Sequence, residues 1–449
     1  MDKFKNIIIG FGKAGKTLAK YLAQHDETVL LIERSKQMYG GTCINVGCLP
    51  SKNLILNGQR GVDFTTAVNK RGEMTRQLRN KNYHMVADEP LATVWDGSAR
   101  FIDNYVLAVV MSDGTTKKVR GERIFINTGA VPNWPSIPGL EFGQRIFTSK
   151  EAMELKKQPK RLAIIGGGYI GLEFAGMFNS FGTHVTIFDQ HTRLLEREDP
   201  DIATEVVTDL TNAGIEIKLE TQLTQVKDNG EKVTLYYQQG DQTSTAEFDA
   251  VLVAVGRRPN VSSLGLENTD IALTNRGAIQ VDDHLRTTVQ NIWALGDVNG
   301  GPMFTYVSLD DFRIIIDQLF GKGDRSTADR MVIPTASFLN PPLANVGLNE
   351  RQAKSAGYNF QTFKLSVKAI PKARVLEDQR GLYKVIVDQK THLILGATLY
   401  AAEAHETINL IALAMKAKLP YERLRDMIYT HPTMSEALND LFKTPVVKS

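Results

Sequence analysis

A strand, a glycine turn, a helix and a second strand occur in that order twice in this chain, and few architectures accommodate the repetition. The first copy is "NIIIGFGKAGKTLAKYLAQHDETVLLIE" (6–33), the second "RLAIIGGGYIGLEFAGMFNSFGTHVTIFD" (161–189). Gly10, Gly12 and Gly15 punctuate the first turn, and Gly166, Gly168 and Gly171 the second. Each copy ends on an acidic residue, Glu33 or Asp189, 18 positions after its last glycine. The first glycine permits a tight turn, the second lets a pyrophosphate approach the backbone, and the third lets helix and strand pack closely. The helix N-terminus then faces the phosphates, and the acidic side chain accepts from ribose hydroxyls. Two such units predict an α/β chain with two Rossmann-like dinucleotide-binding domains.

Two further segments echo each other. "RIFINTGAVP" (123–132) and "AVLVAVGRRPN" (250–260) are apolar strands running into Thr128-Gly129 and Gly256, and each returns the chain after one nucleotide half. "NIWALGDVNGG" (291–301) is another buried strand, which delivers Asp297 to a strand's carboxyl end, where open α/β sheets bind nucleotides. Beyond about residue 330 the glycine turns give way to strand and hairpin patterns, followed by helices near 403–417 and 421–428. The expected division is 1–149 and 258–328 for one nucleotide domain, 150–257 for the other, and 329–449 for an α+β C-terminal domain.

A formal charge of +3 spread over 449 residues is too weak to point to nucleic acid or an anionic membrane. The densest basic run, "KRGEMTRQLRNK" (70–81), is expected to be a solvated helix face. No segment approaches the ~18 apolar residues of a spanning helix. A cytoplasmic, reducing location is the default expectation.

In that setting the only two cysteines stand out, because "GGTCINVGCLPSK" (40–52) holds both. In a straight helix, residues five apart are separated by about 7.5 Å of rise, too far for a disulfide. A redox pair therefore requires a break in the helix, and Gly47 supplies the latitude. A helix starting near Cys48 would stabilise its thiolate, with Lys52 adding positive charge one turn on. A structural zinc site needs four ligands, and no second cysteine pair exists. Two dinucleotides and a dithiol make an electron relay from nicotinamide through flavin to the disulfide.

At this point the chain resembles the pyridine nucleotide-disulfide oxidoreductases over essentially its whole length. "GGTCINVGCLPSK" is similar to that family's active-site signature and "HPTMSE" (431–436) to its C-terminal one. The resemblance implies an FAD domain, an inserted NAD(P) domain and a C-terminal dimerisation domain in a homodimer. It implies that Cys48 faces the flavin and Cys43 is the outer thiol. Lys52 would sit near the flavin N5, paired with Glu173. Glu33 would hold the FAD ribose and Asp297 the ribityl chain, with Gly41, Thr42, Thr128, Gly129 and Gly256 also lining cofactor. Tyr169 resembles the tyrosine that lies over the empty nicotinamide site. His431 and Glu436 resemble an acid–base dyad that reaches the partner subunit's disulfide. Asp189 favours a ribose 2′-hydroxyl and hence NADH over NADPH. Arg193, the one nearby arginine, does not match the spacing of the pair usual in NADPH users.

Within the family, phrases such as "GFGKAGKTLA", "MYGGTCIN" and "GGPMFTYVSLDDFRI" resemble bacterial flavoproteins of reactive-chlorine resistance related to mercuric reductases. The expected activity is reduction of a metal ion, Cu(II) or else Hg(II), with Cys43 and Cys48 as transient ligands of the substrate metal. A C-terminal cysteine pair and an N-terminal metal-binding domain, usual in mercuric reductases, are not in this sequence. The alternatives are a disulfide reductase of the lipoamide dehydrogenase or glutathione reductase type, and a redox-sensing flavoprotein without turnover. His84, Met85 and His405 are expected to be packing or surface residues.

Overall fold

Short runs of β-branched and aliphatic residues, buried on both faces, favour parallel strands over any solvent-facing sheet. The computed structural model describes residues 1–443 and 445–446. They fall into two units, Met1–Pro135 with Thr148–Gln158 and Val255–Asp329, and Ser136–Phe147 with Pro159–Ala254 and Arg330–Ser449.

In the first unit the parallel strands lie in the order Ala92–Asp103, Val29–Glu33, Asp2–Ile9, Thr116–Ile126 and Ile292–Ala294. The later part of Ala92–Asp103 and the strand Val106–Met111 turn antiparallel and return to Thr116–Ile126. Alternation divides the core. Ile7, Leu30 and Ile124 pack on one face of the sheet. Ile8, Leu31 and Phe125 pack on the other, against Ala14, Leu18 and Leu22 of the helix Lys13–Ala23.

The basic run belongs to the long helix Phe64–Ala87, but it is not wholly solvated. Arg71 is buried and donates from Nη2 to the Met153 carbonyl at 2.6 Å, while Arg79 donates from Nε to Asn45 Oδ1 at 2.9 Å. The expectation of a solvated face fails because two guanidinium groups, with donors to spare, satisfy acceptors on neighbouring segments.

The second unit repeats the parallel plan, in the order Glu216–Lys218, His184–Phe188, Arg161–Ile165, Ala250–Val253 and Ile146–Phe147. A three-stranded antiparallel sheet, Thr221–Asp228, Val233–Gln239 and Gln242–Phe248, is inserted before Ala250. The C-terminal part is a five-stranded antiparallel sheet, ordered Thr335–Ser337, Leu343–Gly347, Ile394–Tyr400, Leu382–Asp388 and Phe360–Ser366. Ile408 and Ile411 of the helix Ala404–Lys416 share a core with Val385 and Leu399 of that sheet. The last expected helix is shorter than its pattern, Glu422–Arg425. No helix among the described residues is long and apolar enough to cross a membrane.

Candidate functional site

The first glycine turn is closed by backbone contact. A Cβ on Gly10, at φ +105°, would lie 2.3 Å from the Asn127 carbonyl oxygen, and one on Gly15 would lie 2.5 Å from the Gly10 oxygen. Asn127 pins the turn from the next parallel strand: its Oδ1 accepts from Gly15 N at 3.0 Å and its Nδ2 donates to the Leu295 oxygen at 2.7 Å. The N-cap residue Gly12 of the helix Lys13–Ala23 has no side chain to cap it and no acidic residue lies in its first turn, so the N–H groups that Asn127 does not take are left to an anion. Glu33 is buried with Oε2 on Phe11 N at 3.0 Å, and burial raises its pKa. Asp297 opens the turn Gly296–Asn299; burial raises its carboxyl as well, against the pull of the Arg257 guanidinium. Thr128 donates its hydroxyl to the Asn260 oxygen at 2.8 Å, which sets the shape of the Thr128-Gly129 turn. Gly256 is held by Asn133, whose N–H donates to the Gly256 oxygen at 2.9 Å. These residues fit an FAD: an uncapped helix start for its diphosphate and carboxylates at two strand ends for its hydroxyls.

The cysteine segment has the break its spacing requires. A short helix, Thr42–Asn45, stops at Val46, and a new one, Cys48–Gln59, starts after Gly47. Cys43 and Cys48 are free thiols hydrogen-bonded to each other. The hydrogen bond from Cys43 lowers the Cys48 thiol to about 6 against the opposing effect of burial. The Thr305 hydroxyl, 3.6 Å from Cys48 Sγ, and the Lys52 ammonium add to the lowering. Cys43 is shifted the other way, chiefly because it donates that bond and then because it is buried. The pair thus shares one proton, held on Cys43, and presents a Cys48 thiolate. Behind it sits Lys16, only 4% exposed, whose Nζ donates to the Gly40 oxygen at 3.4 Å and to Asn82 Oδ1. Burial brings its pKa down to about 8, and repulsion from Lys13 adds to the fall.

The second glycine turn differs from the first at one position. A Cβ on Gly171 would strike the Gly166 oxygen at 2.0 Å, yet one on Gly168 would meet nothing within 4 Å. That open side is where a diphosphate can approach. Asp189 accepts from Gly167 N at 2.6 Å through Oδ2 and from His191 N at 2.9 Å through Oδ1. Arg193 turns away from it and donates to the Glu196 and Glu198 carbonyls at 3.1 and 3.4 Å. Tyr169 is 41% exposed and donates its hydroxyl to Glu198 Oε1 at 2.6 Å. Glu173 is buried and accepts from Phe338 N at 2.8 Å. In the C-terminal part, His431 Nδ1 lies 2.8 Å from Glu436 Oε2, and the ring is 68% exposed. A proton on Nδ1 directed at the carboxylate leaves Nε2 as the base. His84 pairs with Asp88 at 2.9 Å near the end of its helix, and His405 packs its ring 5.2 Å from Phe338. Among the described residues no three His, Cys, Asp or Glu side chains stand ready to hold a metal.

Thr305, Arg257, Asn127, Lys16 and Glu198 escaped the reading of the sequence. Only Asn127 and Arg257 carried a signal, since Arg257 follows Gly256 directly and Asn127 stands two residues before Gly129, both glycines that the strand-end pattern had marked.

Two nucleotide-type sheets, a dithiol at a helix start and a histidine–glutamate pair define a flavin- and nicotinamide-dependent disulfide oxidoreductase. The chain belongs to the pyridine nucleotide-disulphide oxidoreductase family: its model matches residues 4–311, and the family's dimerisation domain matches 333–442. The chain is therefore a flavin-dependent oxidoreductase of a family that uses FAD and NAD(P)H. It is 48% identical to the probable pyridine nucleotide-disulfide oxidoreductase RclA of Escherichia coli, over 98% of this chain and 99% of that one. It is 34% identical to a mercuric reductase of Lysinibacillus sphaericus, over 97% and 82%. The solved Cu(II) complex of the HOCl-induced flavoprotein disulfide reductase RclA from Escherichia coli superposes with a TM-score of 0.95 at 48% identity, covering 98% of this chain and 99% of that one.

Proposed function

We propose that this enzyme passes electrons from NADH through Cys43 and Cys48 to Cu(II), in defence against reactive chlorine. The observation that carries the reading is the hydrogen-bonded thiol pair with its Cys48 thiolate at a helix start. The choice of metal rests on the likeness to a relative solved as a Cu(II) complex. The first glycine turn, with Glu33 and Asp297, would hold FAD, which would supply the two-electron link between nicotinamide and disulfide. Overall, NADH, a proton and the disulfide give NAD⁺ and the dithiol. The dithiol then gives one electron to each of two Cu(II) ions, releases two protons and re-forms the S–S bond. Thiolate sulfur suits the soft Cu(I) product. Cys43 is the outer thiol in this scheme, and Cys48 with Lys52 faces the flavin.

NADH is the favoured donor because Asp189 offers its carboxylate at the end of the second strand while Arg193 is engaged with backbone carbonyls. Tyr169 covers the empty nicotinamide site. The working division is 1–149 and 258–328 for FAD, 150–257 for nicotinamide nucleotide and 329–449 for dimerisation, with His431–Glu436 serving the disulfide of the partner subunit in a homodimer.

A second reading, reduction of a small disulfide, is favoured by the His431–Glu436 pair, since an acid–base dyad suits protonation of a thiolate leaving group and a metal ion needs none. Anaerobic NADH oxidation by the flavin-loaded protein, offered Cu(II), lipoamide or glutathione disulfide, separates the two. Cu(II)-dependent turnover well above the disulfides is expected. Turnover with a disulfide alone overturns the copper reading.

A further inference from the structure

Glu198 is a carboxylate in an expensive place. It is 7% exposed, and among the described residues no cation pairs with it. Burial raises its pKa accordingly. Its two hydrogen-bond partners are neutral: the Tyr169 hydroxyl at 2.6 Å and Asn345 Nδ2 at 3.2 Å, both on Oε1. An unpaired buried carboxylate costs stability, so its presence calls for a compensating role.

The surroundings suggest that role. Asn345 Oδ1 accepts from Thr398 Oγ1 at 2.7 Å, and the two residues face each other across neighbouring strands of the C-terminal sheet. On either side of Glu198 the chain is fastened to the same part of the unit. Asn349 Nδ2 donates to the Arg197 carbonyl at 2.6 Å, and Asp199 Oδ2 lies 2.8 Å from the buried Lys384 ammonium. Glu198 is therefore an immobile acceptor. Tyr169, by contrast, is a half-exposed ring on the first residue of its helix, just past the glycine turn. A short bond from a phenol to a carboxylate is among the stronger neutral-to-charged contacts.

We propose that Glu198 is a positioning residue that latches Tyr169 in its empty-site orientation, so that nicotinamide enters only when this one hydrogen bond is broken. The inference rests on the reading that Tyr169 covers the nicotinamide site. Binding is then weakened by the fraction of time the latch is shut, and removing the latch strengthens it.

The test is a double-mutant cycle on the flavin-loaded protein with Tyr169→Phe, Glu198→Ala and the pair together. NAD⁺ affinity is read by flavin fluorescence titration, and KM for NADH is separated from kcat. Each single change is expected to tighten NAD⁺ binding and lower KM by about three- to tenfold without raising kcat, and the double variant to match the singles rather than multiply them. Glu198→Gln keeps the Oε1 acceptor but loses the charge that strengthens the bond, so its NAD⁺ affinity should lie between those of the parent and the alanine variant, which gives a folded comparison if the alanine variant is unstable. Multiplying effects, or a Glu198→Ala variant that binds as the parent does while Tyr169→Phe shifts, overturns the latch and leaves the gate. No change in Tyr169→Phe or Tyr169→Ala overturns the gate and the latch with it.

Discussion

At neutral pH the reduced cysteine pair holds one proton between two sulfurs, and the side chains around it decide which sulfur is bare. The Cys48 thiol is brought from the ordinary thiol value of 9.0 to about 6. Because the shift is downward, the thiolate is present above about pH 6 and disappears as pH falls through that value. The long-wavelength thiolate-to-flavin absorption of the two-electron-reduced enzyme should therefore fade with a midpoint near 6. Cys43→Ser should keep the band, since serine can still donate to Cys48, while losing acceptor turnover. Cys43→Ala should move the midpoint upward, because the largest cause of the shift is gone. A band that survives Cys48→Ser would reverse the assignment of the two sulfurs. At the other nucleotide turn, Asp189→Ser removes the carboxylate that disfavours a 2′-phosphate. The ratio of kcat/KM for NADH over NADPH should drop at least about tenfold, the order of one lost charge-specific contact. The two cysteines were legible in the sequence because a helix has one rise per residue, so their interval demanded a break near Gly47. Thr305 was not, since it reaches Cys48 from 257 positions away and no local pattern encodes such a meeting. Lys16 was hidden for a different reason: a lysine in an amphipathic helix ordinarily points outward, and only packing shows that this one is covered.

The segments that meet at the first turn depend on glycine in a way the strand–turn–helix pattern explains only in part. Gly41 has φ +79°, and a Cβ there would lie 2.7 Å from the Gly12 Cα, backbone against backbone with nothing to swing aside. Gly41→Ala should cost about 1–3 kcal/mol for the backbone alone, since φ +79° with ψ −172° is a region essentially confined to glycine, and displacement of the cysteine segment from the phosphate turn should leave purified protein with a reduced ratio of flavin to protein absorbance. In the C-terminal sheet the sequence was silent about Lys384, because a lysine within a strand does not announce its partners. The structure buries it among Asp199, Asp201 and Glu350, at 2.8, 3.0 and 3.1 Å. Lys384→Met leaves these carboxylates facing one another and should lower unfolding stability by roughly 3–5 kcal/mol. Burial opposes ionisation of Asp201 and Glu350, but hydrogen bonds, from Lys364 and Lys384 to Asp201 and from Thr362 with the Lys384 charge to Glu350, outweigh it and hold both below their ordinary values. Their contribution is thus complete above the ordinary carboxylate range and is lost as pH falls through the lowered values. Burial likewise opposes the charge on Lys384, yet Asp199 and Asp201 raise it above 10.5, so its contribution is complete below that pH and lost in strong alkali. Thermal melts of parent and variant should differ most from mildly acidic to mildly alkaline pH and converge in acid.

For the whole molecule, the question is whether one chain suffices. The parallel sheets were legible at strands such as Asp2–Ile9, Arg161–Ile165 and Ala250–Val253, whose apolar runs lead into a glycine, and not at Ala92–Asp103, where Asp96 and Arg100 interrupt the apolar run. The dimer was legible only by resemblance, because a surface meant for a second copy looks in sequence like any exposed stretch. The C-terminal domain leaves Ile428 96% exposed and Leu413 and Val375 each 64% exposed, which is costly in water and suits a partner surface. Ile428→Asp should accordingly shift the protein from dimer to monomer in sedimentation. The catalytic consequence can be isolated by mixing defects. Cys43→Ser removes the proposed outer thiol from a subunit, and His431→Ala removes the proposed base. If each site takes its disulfide from one subunit and its histidine from the other, a hybrid dimer of the two variants has one site with both defects and one with neither. Random pairing makes half the dimers hybrid, each with one intact site of two, so co-expression should restore about a quarter of parental turnover from two nearly inactive proteins. If the cysteines and histidine of one site come from the same chain, every site in the mixture carries a defect, and co-expression restores nothing.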